Sequence, residues 1–254
     1  MMNNPFTLEG KNILITGASS GIGRQCAISC SQMGAKVILI ARNEERLKET
    51  LVMMEGEGHY VVVLDLTDYV NVEKKIKDIV SKMGRIDGIL HCAGISTTLP
   101  LKLVNVELLE KFFHSNVVSA YNLTKEACKI SNFSQKGGSI IFFSSIMGVV
   151  GENGKSLYSM TKGALLSTAR SLACELASKN IRVNSISPGV VITPINKDLP
   201  HISDPEKRME IEKKHLLGLG ETVDVANTCV FLLSNASRWI TGQNIIIDGG
   251  YTIK

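Results

Sequence analysis

Seven short apolar runs, separated by segments of helical periodicity, constrain this sequence more than anything else in it. They are Asn12–Thr16, Lys36–Ala41, Tyr60–Leu64, Asp87–His91, Ser139–Phe143, Ile181–Ile186 and Asn244–Ile247. The runs are continuous rather than alternating, which marks strands covered on both faces. Between them, Ile22–Met33, Val70–Met83, Glu107–Lys129, Ser156–Ser178 and Thr222–Leu233 carry helical spacing. In the second of these, Val72, Ile76, Ile79, Val80 and Met83 share one stripe.

Repeated strand–helix–strand units require right-handed crossovers and a parallel sheet. The expected fold is α/β, a Rossmann-type doubly wound parallel sheet with helices on both faces. The 254 residues show no linker, charge block or internal repeat, so residues 1–254 read as a single domain. In such sheets ligands bind beyond the carboxyl ends of the strands. A candidate catalytic residue should therefore follow a strand or open the next helix.

The net charge is +4 with both signs interspersed, not the clustered basic stripe that nucleic-acid binding uses. The six cysteines, Cys26, Cys30, Cys92, Cys128, Cys174 and Cys229, form no CxxC pair and have no histidine at ligand spacing. That argues against structural zinc. Cys26 and Cys30 read as buried small hydrophobes, and unpaired thiols suit a reducing compartment. The first eleven residues are too polar for a signal peptide, and no apolar stretch approaches the ~20 residues of a membrane span. A soluble, cytoplasmic protein is expected.

The first run leads into Thr16-Gly17-Ala18-Ser19-Ser20-Gly21-Ile22-Gly23. Glycines let the chain turn sharply and let a pyrophosphate approach the backbone, where free N–H groups of a helix start attract it. A tight turn with packing glycines is the alternative. Its position after the first strand favours dinucleotide binding. At the end of the second strand, Ala41-Arg42-Asn43 stands where an NAD-binding protein would carry an acid for the ribose. A guanidinium there suits a 2′-phosphate, so NADP(H) is favoured over NAD(H), with Glu44 or Glu45 as a ribose partner in the opposite case. Asp65, in Leu64-Asp65-Leu66, fits an adenine contact and a turn aspartate equally well. Ala93 and Gly94 offer close backbone approach after the fourth strand.

Reducing a carbonyl needs a proton donor, and tyrosine serves near neutrality when positive charge lowers its pKa. Tyr158 and Lys162 stand at i and i+4, facing the same way on a helix. Tyr121 and Lys125 repeat the spacing, so spacing alone decides nothing. Tyr158 follows the fifth strand, whereas Tyr121 lies well inside a helix and reads as an ordinary helix-face residue. Ser144 and Ser145 end the fifth strand, where a hydroxyl can steady a carbonyl oxygen. Asn116 is a polar residue among Phe112, Phe113, Val117 and Val118. It holds a water, kinks its helix or is a satisfied core amide.

Together these features resemble the short-chain dehydrogenase/reductase family along nearly the whole chain. Thr16–Gly23 is similar to the family's TGxxxGxG cofactor motif. Cys92-Ala93-Gly94 is similar to its NAG motif, with Cys92 in place of asparagine. Asn116, Ser145, Tyr158 and Lys162 match its Asn–Ser–Tyr–Lys tetrad; Ser145 is selected over Ser144 because the family's serine stands thirteen residues before the tyrosine. Pro188-Gly189 and Thr193 resemble its nicotinamide-contacting PG segment, and Asp248-Gly249-Gly250 is similar to its C-terminal sequence. The resemblance implies a hydride transfer in which Tyr158 moves the proton and Ser145 orients the carbonyl. Lys162 would lower the phenol pKa and hold the ribose, and Asn116 would position a water for proton relay. It implies the cofactor contacts Gly17, Ser19, Ser20, Gly21, Ile22, Gly23, Arg42, Asp65, Leu66, Ala93, Gly94, Tyr158, Lys162, Pro188, Gly189 and Thr193, with no metal.

Within the family the pattern is similar to 3-oxoacyl-acyl-carrier-protein reductases and to sugar, polyol and other small-alcohol dehydrogenases. Cys174 replaces an arginine that helps such reductases dock the carrier, and Ile95–Leu99 lacks their Arg-Asp pair. A variable substrate lid is expected over 195–219. The resemblance also implies a homo-oligomer, tetramer or dimer, packed through the two long helices and the C-terminal strand. A dinucleotide-binding sensor without chemistry is the competing class, against which the intact tetrad argues.

Overall fold

The computed structural model of the protein describes residues 4–193 and 203–253. Seven strands, β1 (Asn12–Thr16), β2 (Lys36–Ala41), β3 (Tyr60–Val63), β4 (Gly88–His91), β5 (Gly138–Phe143), β6 (Ile181–Pro188) and β7 (Asn244–Ile247), form one parallel sheet. Its order is β3-β2-β1-β4-β5-β6-β7. The order reverses between β1 and β4, so the turns leaving those strands diverge and leave a crevice at their carboxyl ends.

Pairing explains the continuous apolar runs. On one face Leu14, Ile38, Ile40, Ile89, Ile140 and Phe142 pack against helices α3 (Tyr69–Met83), α5 (Ser119–Ala127) and α6 (Ser156–Leu176). On the other, Ile13, Ile15, Leu39, Leu90 and Ile141 meet α1 (Gly21–Gln32) and the helix Thr222–Leu233. Both faces are dry, and each buried Leu or Ile contributes about 1.5–3 kcal/mol. Cys26, Cys30 and Cys229 are buried in the second layer as small apolar side chains.

One expectation changes, two helices were unexpected, and the lid is only partly described. The predicted helix Glu107–Lys129 is present but not α-helical throughout: α4 (Val106–Phe113) runs into α5 through a π turn over His114–Val118, and α5 ends at Ala127. Two helices escape the apolar pattern, α2 (Glu44–Val52) and α7 (Pro205–Glu212); the first buries only Leu47 and Thr50, and the second buries no side chain. Of the expected lid, residues 195–202 lie outside the described residues, and the remainder begins with α7, capped by Asp204. Among the described residues no helix is long and apolar enough to cross a membrane.

Candidate active site

The turn after β1 is built for close approach. Gly17 has φ +67°, and a Cβ on Gly23 would stand 2.3 Å from the Gly17 carbonyl oxygen, so neither position admits a side chain. Ser20 is the N-cap of α1, yet its side chain makes no capping hydrogen bond, leaving the first-turn N–H groups to a ligand. The turn is held from outside by residues the sequence reading passed over. Arg24 donates to the Ser19 carbonyl at 2.8 Å and pairs with Glu49 at 2.9 Å, while Thr50 Oγ1 donates to the Ala18 carbonyl at 2.9 Å. No local pattern marks either residue, because Arg24 is anchored by Glu49 25 residues away and Thr50 reaches Ala18 across 32 residues. The turn is also tied to β4: Thr16 Oγ1 accepts from the Ala93 N–H at 3.1 Å.

At the carboxyl ends of β2 and β3 lies an open cleft of about 340 Å³, lined by Arg42, Val63, Leu64, Asp65, Asp68, Asn71 and Lys75. Asp65 is a turn aspartate: its Oδ1 accepts from the Thr67 N–H at 2.9 Å and hydroxyl at 2.7 Å. These bonds, with Arg42 nearby, hold its carboxyl below the usual range. Leu66 is half-buried against the core. Glu44, one of the alternative ribose partners, is paired with Lys48 at 2.7 Å.

At the carboxyl end of β5 the two serines divide their work. Ser144 is buried, and its hydroxyl donates to the Lys162 carbonyl at 2.9 Å, tying α6 to the strand. Ser145 is half-exposed; its Oγ accepts from the Met147 N–H at 3.2 Å, and it lies beside the Tyr158 phenol, whose pKa it pulls down. Lys162, one turn along α6, places Nζ 5.5 Å from the Tyr158 ring centroid and donates to the Phe143 carbonyl at 2.7 Å. Tyr121 is 49% exposed on α5, outside this constellation.

The electrostatics differ from the expectation that Lys162 lowers the phenol pKa. Burial pushes Tyr158 up to about 12, with Ser145 pulling the other way. Burial also lowers Lys162 to about 8. Desolvation outweighs the attraction that i, i+4 spacing suggests. Asn116 differs too. It is buried in the π turn, and its side chain is taken by protein: Oδ1 accepts from the Ile95 N–H at 2.8 Å, and Nδ2 donates to the Ile95 carbonyl and Thr161 Oγ1, both at 3.0 Å. It thus pins the segment after β4 to α6. Gly94 sits between the two halves: a Cβ there would lie 3.1 Å from Asn116 Oδ1 and 3.5 Å from Lys162 Nζ.

β6 ends at Pro188. The Gly189 N–H donates to the Ile247 carbonyl at 2.8 Å, so the following loop is moored to β7. Thr193 is the last described residue of that loop.

Comparison with known proteins agrees with this arrangement. A family model described as enoyl-(acyl carrier protein) reductase matches residues 17–252. A 3-oxoacyl-acyl-carrier-protein reductase of Thermotoga maritima is 34% identical over 248 residues, covering 97% of this chain and 99% of the relative. An L-rhamnose 1-dehydrogenase (NAD(P)+) of Sphingomonas is 34% identical over 251 residues, covering 97% and 98%. A crystal structure of a gluconate 5-dehydrogenase from Burkholderia cenocepacia, in complex with NADP and tartrate, superposes with a TM-score of 0.90 at 26% identity, covering 98% of each chain.

Proposed function

Because this chain belongs to the short-chain dehydrogenase/reductase family, whose members act on CH–OH and C=O groups, we propose that it reduces a small carbonyl compound with NADPH in preference to NADH, Tyr158 supplying the proton. Lys162 Nζ over the Tyr158 ring, 5.5 Å from its centroid, with Ser145 beside the phenol, is the observation that carries this reading.

The residues fit a dinucleotide. The uncapped first turn of α1 and the backbone of Gly17, Ser19, Ser20, Gly21, Ile22 and Gly23 suit the pyrophosphate. The cleft beside Arg42, Asp65 and Leu66 suits the adenosine half, and the backbone of Ala93 and Gly94 is expected to contact it after β4. Pro188, Gly189 and Thr193 would receive the nicotinamide carboxamide. When bound, the cofactor supplies the hydride. NADPH is favoured because Arg42 is exposed at the end of β2 while Glu44 is committed to Lys48.

The chain's own part is the proton. At neutral pH Tyr158 is protonated, the form needed to meet an alkoxide as it develops. Ser145 aligns the same oxygen. Lys162, still charged below pH 8, brings positive charge against the phenol and the ribose. Asn116 holds the Ile95 backbone and Thr161 fixed around them. In the oxidation direction the phenol must lose its proton, which requires this positive charge.

A 3-oxoacyl thioester is the first substrate to test, on the full-length likeness to the acyl-carrier-protein reductase. A sugar or polyol is the second reading, favoured by exposed Cys174 in place of a carrier-docking arginine. We read the chain as one domain with its lid within 195–219. Six free cysteines fit the cytoplasm. Trp239 and Ile253, 89% and 78% exposed near the C-terminal strand, fit a homo-oligomer. The test is NADPH oxidation on an acetoacetyl thioester, simple ketones, keto sugars and diketones, with NADH in parallel. Turnover on none of them removes this reading.

A further inference from the structure

His215 stands three residues after the end of α7 and is buried, 3% exposed, where three parts of the chain meet. Its Nε2 accepts from the Val190 N–H at 3.2 Å, and its Nδ1 lies 2.9 Å from the Ile211 carbonyl oxygen. Because a backbone N–H can only donate, Nε2 carries no hydrogen; the ring hydrogen is on Nδ1 and is donated to Ile211. The ring is also in contact with Tyr251 of the C-terminal turn, their centroids 4.9 Å apart. The following residues close the junction: the Leu217 N–H donates to the Gly249 carbonyl at 3.1 Å, and the Gly220 N–H to the Val190 carbonyl at 3.1 Å.

One consequence concerns the peptide plane between Gly189 and Val190. In a trans peptide the N–H and C=O point in opposite directions, and the structure contains no cis peptide bond among the described residues. With the Val190 N–H held toward His215, the Gly189 carbonyl must face away from it. Nothing can slip between loop and ring. A Cβ on Gly189 would stand 3.1 Å from His215 Nε2 and 2.9 Å from Asp248 Cα. The imidazole is therefore the floor on which this loop rests, and its far edge holds the end of α7.

We propose that His215 is a positioning residue that fixes the Gly189–Val190 peptide for the nicotinamide carboxamide and locks α7 to that loop, so that the two respond to the dinucleotide together. This rests on the dinucleotide site assigned above. The carboxamide carries an NH₂ donor and a C=O acceptor, and a loop with one set peptide orientation selects it over a loop free to flip. His215 touches neither cofactor nor substrate in this account; it acts through Val190.

The test compares NADPH with 2′,5′-ADP, which has the adenosine and its 2′-phosphate but no nicotinamide, on the full chain by calorimetry. His215→Phe keeps the ring volume and the Tyr251 contact but leaves the Val190 N–H buried without an acceptor. It should weaken NADPH binding by about tenfold and leave 2′,5′-ADP binding unchanged. His215→Gln, whose amide oxygen reaches as far as Nε2, should recover most of that loss. Equal weakening of both ligands by His215→Phe, weakening of neither, or no recovery in His215→Gln would overturn the proposal. A second measurement needs no variant. On wild-type protein, NADPH should slow hydrogen exchange together at 189–192 and 211–218, and slowing at the first segment alone would also overturn it. Failure of the wild type to bind NADPH at all would instead count against the dinucleotide site itself.

Discussion

Lys162 Nζ lies over the face of the Tyr158 ring, 5.5 Å from its centroid, while donating to the Phe143 carbonyl at 2.7 Å. Lys162 is buried and Tyr158 partly so, and desolvation moves their pKa values in opposite directions, the phenol up to about 12 and the ammonium down to about 8. Each shift disfavours a charge, and each has a consequence that can be measured.

Stability should depend on pH through Lys162. Its folded pKa of about 8 lies below the unfolded value of 10.5, so between them the unfolded chain binds more protons and stability rises with pH. The penalty is complete below pH 8 and relieved by about pH 10.5, a span on the order of 3 kcal/mol. Lys162→Met should remove this rise. The check is urea unfolding of both proteins between pH 7 and pH 10, roughly the window of that linkage. Parallel curves for the two proteins contradict the assignment. Tyr158 has the opposite sign: with its pKa raised from 10.0 to about 12, the folded chain binds more protons than the unfolded one above pH 10, so its contribution to stability falls with pH there.

Tyr158→Phe should lower turnover by about 10²–10⁴-fold while NADPH affinity stays nearly constant, since only the proton donor is removed. Tyr121→Phe, on an exposed helix face with the same local spacing, should leave turnover unchanged. Steady-state rates and a binding isotherm for each variant distinguish them.

Arg42→Ala should raise the KM for NADPH by about 10- to 100-fold, the loss of a charge-assisted contact, and leave that for NADH nearly unaltered. An equal change for both cofactors would place the guanidinium outside the 2′-phosphate site.

Asn116→Leu should destabilise the protein by about 2 kcal/mol, because it strands the partly buried Ile95 N–H and carbonyl and the buried Thr161 hydroxyl. Chemical denaturation measures this directly. A neutral effect would mean that water replaces the amide at no cost.

The sheet was legible because its strands are covered on both faces, so burial alone dictates runs such as Ile13–Ile15 and Ile38–Ile40. Helix α3 was legible from Val72, Ile76 and Ile79, whereas α2 buries too few side chains to leave a stripe. The π turn at Asn116 was not legible, because its amide partners Ile95 and Thr161 stand 21 and 45 residues away. The pairing of Tyr158 with Lys162 followed from helical spacing. Their pKa directions did not, because spacing reports proximity and says nothing of desolvation. His215 left no trace at all, since its partners belong to α7 and to a loop 25 residues earlier.

The central claim, that the Ser145, Tyr158 and Lys162 corner moves the proton of a carbonyl reduction, is tested most directly by one comparison. NADPH oxidation is followed on an active member of the carbonyl panel with wild type and Tyr158→Phe at matched cofactor saturation. The account predicts steady oxidation by the wild type and a rate at least about 100-fold lower in the variant. Comparable rates in the two proteins would contradict it.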